Sequence, residues 1–122
     1  MTKSLQGLNV FLVEDDFLIL LDLKTILEDA GASVVTASSV REGLELSDTR
    51  YHAAVLDIRL PDGEVFPVAE RLSKSRVPII FHSGNIETSA VETMFPESVA
   101  LSKPAQERVL IEVVRRQSAA QP

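Results

Sequence analysis

The chain has 122 residues, of which 45% are hydrophobic and 25% are charged, and this predicts one compact globular domain with no room for a second. It has no cysteine, which excludes disulfides, thiolate metal sites and a cysteine nucleophile. The formal net charge of −6 opposes binding to nucleic acid, and the lack of a signal region or a run of about 18 apolar residues predicts a cytoplasmic protein with no membrane partner.

Short apolar runs alternate along the chain with segments of helical periodicity. In chain order they predict strand Leu8–Val13, helix Phe17–Ala30, strand Ala32–Ala37, helix Val40–Ser47, strand Ala53–Leu56, loop Leu60–Gly63, helix Glu64–Ser73, strand Pro78–His82, helix Glu87–Met94, strand Val99–Leu101 and helix Gln106–Arg116. Asp16 is placed to cap the first helix and Gly31 to end it, while Pro67 fits its helix only in the first turn. Four apolar residues form the predicted inner face of the last helix: Val109, Leu110, Val113 and Val114.

The alternation of strands and helices predicts a doubly wound α/β sandwich. The predicted strands are continuous apolar runs, which indicates burial on both faces and therefore a parallel sheet. In such folds ligands bind at the carboxyl ends of the strands, near the point where the strand order reverses. We therefore expect the functional residues at that edge of the sheet.

Acidic, hydroxyl and cationic residues follow the carboxyl ends of four predicted strands. Glu14 and Asp15 follow the first strand, and Asp57 follows the third. Ser83 follows the fourth strand, and Lys103 comes shortly after the fifth. Three neighbouring carboxylates need a counter-charge, and oxygen ligands with open water positions favour Mg²⁺. A carboxylate nucleophile, a metal, a hydroxyl and an ammonium together suit in-line phosphoryl transfer.

Several polar residues have a plain structural interpretation. Asp16 is assigned only the role of helix cap, because acids are favourable at a helix N-terminus. His82 is expected to be a packed or partly exposed histidine rather than a metal ligand, since no cysteine or histidine stands near it. His52 is expected at the surface, and Arg115 and Arg116 are expected to form a solvated helix end.

Four segments stand in an order and at a spacing that resemble those of the response-regulator receiver family of two-component signalling. They are FLVEDD (11–16), VLDIRLPDG (55–63), IIFHSG (79–84) and LSKP (101–104). The resemblance extends over nearly the whole chain, so residues 1–122 are interpreted as one response regulatory domain. It implies a flavodoxin-like (βα)5 sandwich with a five-stranded parallel sheet in the order 2-1-3-4-5. It also implies a signalling domain that assists its own phosphorylation, rather than a conventional enzyme.

The resemblance further implies a set of metal ligands. Asp57 would be the phosphoacceptor and would also contact a Mg²⁺ ion. Asp15 would bind the metal directly, and Glu14 would contact it through water. Arg59 would contribute its backbone carbonyl.

Two residues correspond to the phosphoryl-binding residues of the family. Ser83 would hydrogen-bond the phosphoryl group, and Lys103 would pair with one of its oxygens. Lys103-Pro104 is expected to be a cis peptide. The implied donor is a sensor histidine kinase or a phosphotransfer protein. Phosphorylation would then change the affinity of the domain for a downstream protein partner or for a second copy of itself.

The sequence departs from the usual receiver pattern at two positions. Ala100 stands where most receivers carry an aromatic residue, three positions before the lysine, and Gly84 follows Ser83 where alanine is common. With GEVFPVAERL (63–72), these features resemble a subgroup of receivers linked to HWE-type histidine kinases. Members of that subgroup often stand alone or lack a DNA-binding output.

Two other functions share part of this pattern. A Mg²⁺-dependent phosphatase or phosphotransferase could also form an aspartyl-phosphate, but such enzymes often have Asp-x-Asp after the first strand, and here the acids are adjacent. A degenerate receiver that only binds a partner would lack the acceptor or the lysine, and both Asp57 and Lys103 are present.

Overall fold

A computed structural model describes residues 3–84, 91 and 93–119 of the chain. The strands are β1 Asn9–Val13, β2 Ser33–Ala37, β3 Ala53–Leu56, β4 Arg59–Leu60, β5 Gly63–Glu64, β6 Ile79–Ser83 and β7 Val99–Ser102. Four helices lie wholly within the described residues: α1 Phe17–Asp29, α2 Val40–Leu46, α3 Phe66–Lys74 and α4 Glu107–Ala119. Among the described residues, no helix is both long and apolar enough to cross a membrane.

Five of the strands form one parallel sheet in the order β2-β1-β3-β6-β7. Since β6 and β7 are the fourth and fifth strands of this sheet, the predicted order 2-1-3-4-5 is confirmed. The order reverses beside β1, so the carboxyl ends of β1 and β3 border the crevice where ligands bind in such folds.

The sheet is buried on both faces because neighbouring residues of each strand point to opposite sides. On β1, Phe11 and Val13 pack on the side of α2 and α3, with Val68 and Leu72 of α3 among their neighbours in one apolar cluster. The other side holds a second cluster that packs against α1 and α4. It contains Val10, Leu12, Leu23, Leu27, Leu110 and Val114. The predicted doubly wound sandwich is confirmed.

The first helix begins at the predicted Phe17 and ends at Asp29, one residue before the predicted Ala30. Oδ1 of Asp16 accepts hydrogen bonds from the backbone N–H groups of Leu18 and Ile19, at 3.0 and 3.2 Å, and so caps α1. Gly31 follows the helix with a φ of +106°, and a Cβ there would lie 3.0 Å from backbone atoms of Gln6. Both the positive φ and the close approach favour glycine.

Several local predictions differ from the structure. The predicted loop Leu60–Gly63 lies within a short antiparallel hairpin, in which Arg59 pairs with Glu64. Helix α3 begins at Phe66 rather than Glu64, with Pro67 in its first turn as expected. Val109 was predicted to face inward but is 39% exposed, because α4 buries Leu110 and Val114 instead. The predicted helix Glu87–Met94 lies mostly outside the described residues, of which 91, 93 and 94 are helical.

Candidate functional site

Three side chains from different strand ends meet at the carboxyl edge of the sheet. Nζ of Lys103, which follows β7, lies 2.9 Å from Oε1 of Glu14 and 3.1 Å from Oδ2 of Asp57. Glu14 and Asp57 directly follow β1 and β3, which are neighbours in the sheet. The predicted convergence of these residues is therefore present, and one ammonium is shared between two carboxylates.

The carboxylates of Glu14 and Asp57 are both buried, whereas that of the neighbouring Asp15 is exposed. Glu14 is 1% exposed and Asp57 is 7% exposed, while Asp15 is exposed to solvent. One carboxylate oxygen from each of the three residues can be chosen so that all lie within 4.8 Å of one another. Such a group of oxygen donors, partly buried and partly open to water, is a suitable site for a hard divalent cation.

Glu14 carries the clearest electrostatic signature of the group. Burial raises its pKa to about 7 from an ordinary 4.5, and the charge of Asp57 adds to this. The Lys103 ammonium and the backbone N–H of Asp16, which donates to Oε2 at 3.1 Å, act in the opposite direction. Burial lowers the pKa of Lys103, but Glu14 and Asp57 outweigh it and hold that pKa above its ordinary value.

One buried carboxylate oxygen, Oε1 of Glu14, shows whether the residues of this site fit a cation. Oε1 of Glu14 is fully buried and accepts no aligned hydrogen bond from the described residues, although it forms the ion pair with Lys103. A buried carboxylate oxygen is costly to leave without a partner. The three acids together bring more negative charge than one lysine balances, so the residues present fit a divalent cation.

The other predicted site residues lie close to this cluster in the fold. Ser83 is the last residue of β6 and is buried, and it pairs in register with Ser102 of β7. Arg59 lies two residues after Asp57, with an exposed side chain and its backbone in the hairpin. The peptide bond between Lys103 and Pro104 is cis, as predicted.

The two histidines of the chain, His82 and His52, are both at least partly buried. His82 is 2% exposed, and its Nε2 accepts a hydrogen bond from the backbone N–H of Ala105 at 3.3 Å. The prediction of a packed histidine is confirmed. His52 is only half-buried, and its Nδ1 accepts from the backbone N–H of Asn9 at 2.9 Å, so it is less superficial than expected.

Asp62 makes a contact that the sequence did not indicate. Its two carboxylate oxygens accept hydrogen bonds from the backbone N–H groups of Val40 and Arg41, at 2.8 and 3.0 Å. These are free N–H groups at the start of α2, where anions are favourable. Asp62 thus ties the loop after Asp57 to α2. An Asp before a Gly in a loop gives no sign of a partner 22 residues earlier in the chain.

A separate groove of about 800 Å³ lies at the opposite edge of the sheet. It is lined by residues around the amino end of β6, including Val77, Pro78 and Ile79, and by Met94 and Gln117. None of the acids, the hydroxyl or the lysine of the carboxyl edge lines it. The residues that the sequence singled out therefore lie in the open cluster at the carboxyl edge and not in the groove.

Known proteins share this fold and this sequence pattern. A family model described as response regulator receiver domain matches residues 10–115, so the chain belongs to that family. The photosynthetic apparatus regulatory protein RegA of Cereibacter sphaeroides is 34% identical over 102 residues, which are 80% of this chain. The chain spans 55% of the length of RegA.

Solved structures agree with the family assignment. A response regulator receiver protein from Sinorhizobium medicae has a TM-score of 0.87 and 27% identity, covering 97% of this chain and 99% of that one. A CheY-like receiver domain protein from Methanospirillum hungatei has a TM-score of 0.84 and 29% identity, covering 93% and 94%. The flavodoxin-like receiver fold is thereby confirmed for this chain.

Proposed function

We propose that residues 1–122 form one response regulatory domain that accepts a phosphoryl group on Asp57. The observation that carries this proposal is the placement of the Asp57 carboxylate. It lies at the carboxyl end of β3, is nearly buried, and is 3.1 Å from the Lys103 ammonium beside two further acids. A carboxylate that contacts an ammonium and also belongs to a cluster of cation-binding oxygens suits phosphoryl transfer.

Glu14, Asp15 and Asp57, with the backbone carbonyl of Arg59, would hold a Mg²⁺ ion. The buried Oε1 of Glu14, which has an ion pair with Lys103 but no aligned hydrogen bond from the described residues, and the cluster of carboxylate oxygens support this assignment. When bound, the ion supplies positive charge against the carboxylates and the incoming phosphoryl oxygens. Asp15 is the exposed member of the set, so it faces the side from which a hydrated cation arrives.

The chemical step is a single displacement at phosphorus. A carboxylate oxygen of Asp57 attacks the phosphorus of a phosphohistidine. The O–P bond to Asp57 forms as the donor's P–N bond breaks, and the released imidazole nitrogen keeps the electron pair and takes up a proton. The Lys103 ammonium would pair with one phosphoryl oxygen, and the hydroxyl of Ser83 would donate a hydrogen bond to another. Water attack on the aspartyl-phosphate later restores Asp57.

Phosphorylation of Asp57 would also change the conformation of the domain. Drawing Ser83 towards the phosphoryl group biases the segment that follows it, residues 85–99, and so changes a protein-binding surface. The proposed readouts are a downstream protein partner and a phosphorylation-dependent dimer. Because Ala100 replaces the usual aromatic residue, an aromatic side chain at that position takes no part in this switch.

The proposed donor is a sensor histidine kinase of the HWE type or a phosphotransfer protein, and the proposed location of the transfer is the cytoplasm. The domain assists phosphorylation and dephosphorylation of its own Asp57 and turns over no separate substrate. The net charge of −6 supports a protein partner rather than nucleic acid.

A small-molecule donor tests the proposal without knowledge of the kinase. Acetyl phosphate with Mg²⁺ is expected to phosphorylate the domain once per chain, and chelation of the metal with EDTA is expected to abolish the reaction. Continuous turnover of a phosphate ester would instead indicate an aspartyl-phosphate enzyme. No phosphorylation by acetyl phosphate or by any histidine kinase would indicate a domain that only binds a partner.

A further inference from the structure

His82 is a buried histidine that directly precedes Ser83, one of the proposed phosphoryl-binding residues. Its Nε2 accepts the backbone N–H of Ala105 at 3.3 Å. Because an N–H group donates its proton, Nε2 must offer a lone pair, and the proton of the neutral ring must sit on Nδ1. Nδ1 is buried and has no hydrogen-bond partner among the described residues. The bond to Ala105 is therefore what orients the ring within that part of the chain.

The electrostatic surroundings keep His82 able to accept this bond. Burial lowers its pKa, the Lys103 ammonium lowers it further, and only Asp57 acts in the opposite direction. The ring is thus neutral at neutral pH, which an acceptor nitrogen requires.

The segment that carries Lys103 is fastened at two points to the end of β6. The backbone N–H of Lys103 donates to the carbonyl of Ser83 at 3.0 Å. Two residues later, the backbone N–H of Ala105 donates to His82. These two bonds lie on either side of Pro104 and fix the course of the backbone at and just after Lys103.

The side chain of Lys103 depends on that backbone course. It must reach two carboxylates at once, at 2.9 Å from Glu14 and 3.1 Å from Asp57. Displacements of about 1 Å can cost on the order of 100-fold in rate when a group must meet a reacting centre. Loss of one of the two backbone hydrogen bonds would therefore displace the Lys103 ammonium from Asp57 and lower the rate of phosphorylation.

We propose that His82 is a positioning residue, whose neutral imidazole holds Ala105 through Nε2 and thereby places Lys103 beside Asp57. This inference rests on the proposed function, in which Lys103 meets a phosphoryl oxygen. In this role His82 acts only through the backbone that carries Lys103.

Three substitutions separate the hydrogen bond from the packing of the ring. His82→Gln can place an amide oxygen at the depth of Nε2, whereas the side chain of His82→Asn is too short and that of His82→Leu has no acceptor. We expect the rate of phosphorylation by acetyl phosphate to stay within about threefold of wild type for Gln and to fall about 10-fold for Asn and Leu. Mg²⁺ binding should not weaken in any of them. Equal rates in all three variants, or an equal loss in all three, would overturn the proposal.

The tautomer of the wild-type protein gives a readout that needs no variant. Long-range ¹H–¹⁵N NMR of the imidazole nitrogens at neutral pH should show His82 protonated on Nδ1. His52 is an internal control, because its Nδ1 accepts from Asn9 and its proton must therefore be on Nε2. A proton on Nε2 of His82 would overturn the proposal, even if the Asn and Leu variants failed to fold.

Failure of this inference can be told from failure of the proposed function. If wild type is phosphorylated on Asp57 and the Asn and Leu variants react equally fast, His82 has no positioning role and the receiver function stands. If wild type is not phosphorylated by either kind of donor, the proposed function fails, and with it the role of Lys103 on which this inference depends.

Discussion

Nζ of Lys103 lies 3.1 Å from Oδ2 of Asp57, so the proposed acceptor already has a cation at its side before any phosphoryl group arrives. The same ammonium is 2.9 Å from Glu14 and therefore shares the charge of both acids with any bound metal. Lys103 then has two opposed effects. It competes with the metal for the carboxylates, and it stabilises the charge of the phosphoryl group in transfer.

Replacing this ammonium should change metal binding and phosphorylation in opposite directions. In Lys103→Met, we expect Mg²⁺ to bind a few-fold more tightly by calorimetry, because the acids lose a competing cation. Phosphorylation by acetyl phosphate should slow by about 100-fold, since removal of one charge-stabilising donor typically costs that much. Lys74→Met is the control, because Lys74 is exposed and forms an ion pair with Glu70, away from the acids of the site. Weaker Mg²⁺ binding or an unchanged rate in Lys103→Met would contradict the assignment.

Glu14 should make stability depend on pH in metal-free buffer. Its pKa is about 7 in the folded protein against an ordinary 4.5, so the folded state binds the proton more tightly than the unfolded chain. The contribution of Glu14 to stability therefore falls as pH rises from about 4.5 to about 7. At pH 8, Glu14→Gln should raise the free energy of unfolding by on the order of 2 kcal/mol, and this gain should vanish near pH 4.5.

Urea unfolding at several pH values measures this effect, with Glu45→Gln, an exposed residue that pairs with Arg41, as the control. Two results would contradict the raised pKa of Glu14. One is a Glu14→Gln protein that is less stable than wild type at pH 8, and the other is a difference in the free energy of unfolding that does not change with pH. The same protonation also removes a negative charge of Glu14 that would face the metal. Mg²⁺ affinity of the wild type should therefore decline as pH falls below about 7.

Asp62 should stabilise the fold by capping α2 from a distant loop. The backbone N–H groups of Val40 and Arg41 hold the pKa of Asp62 below its ordinary value. Its stabilisation is thus present above that ordinary value and is lost as pH falls through the lower, folded-state pKa. Asp62→Asn should lower the urea midpoint at pH 7, and the loss should shrink in acid. Asp22→Asn, on the exposed face of α1, should leave the midpoint unchanged, and equal midpoints for both variants would exclude the capping role.

The start of α1 presents two exposed apolar side chains directly after the acids of the site. Phe17 is 71% exposed and Leu18 is 75% exposed. We expect a protein donor that brings a phosphohistidine to Asp57 to cover this surface, because exposed apolar side chains favour protein contacts, whereas acetyl phosphate need not. Phe17→Ser and Leu18→Ser should therefore slow transfer from a cognate kinase by about 10-fold or more, while acetyl phosphate reacts as with wild type. Met94→Ser, exposed at the far groove, is the control, and an equal effect on both donors would argue against docking at α1.

Sequence reasoning located the functional edge because the carboxyl ends of parallel strands meet at one edge. Once the strand ending before Asp57 and the strand ending before Glu14 were predicted to be parallel neighbours, their proximity followed from the fold. Lys103 needed a further step, since its side chain reaches back over the edge from a loop. Its place at this edge was predicted from the strand that precedes it, and the resemblance to a family added its role toward the phosphoryl group.

The contacts that were missed join residues whose side chains give no local signal. Asp62 bonds to a helix start 22 residues before it, and His82 bonds to a backbone N–H 23 residues after it. Each contact depends on how a loop packs against an element that is distant in the sequence. The residue types alone do not reveal it, since an aspartate can equally lie in a solvated loop and a histidine can equally pack in a core. The short hairpin at Arg59 was missed for a related reason, because Pro61 and Gly63 indicate a turn but not the pairing on either side of it.

The most direct test is to find the residue that carries the phosphoryl group. The domain would be phosphorylated with acetyl phosphate and Mg²⁺, the acyl phosphate reduced with borohydride, and the modified residue located by peptide mass spectrometry. The expected result is modification at Asp57 alone, with none in Asp57→Asn, a variant that keeps the size of the side chain. Modification at another residue of the wild type, or labelling retained in Asp57→Asn, would contradict Asp57 as the acceptor.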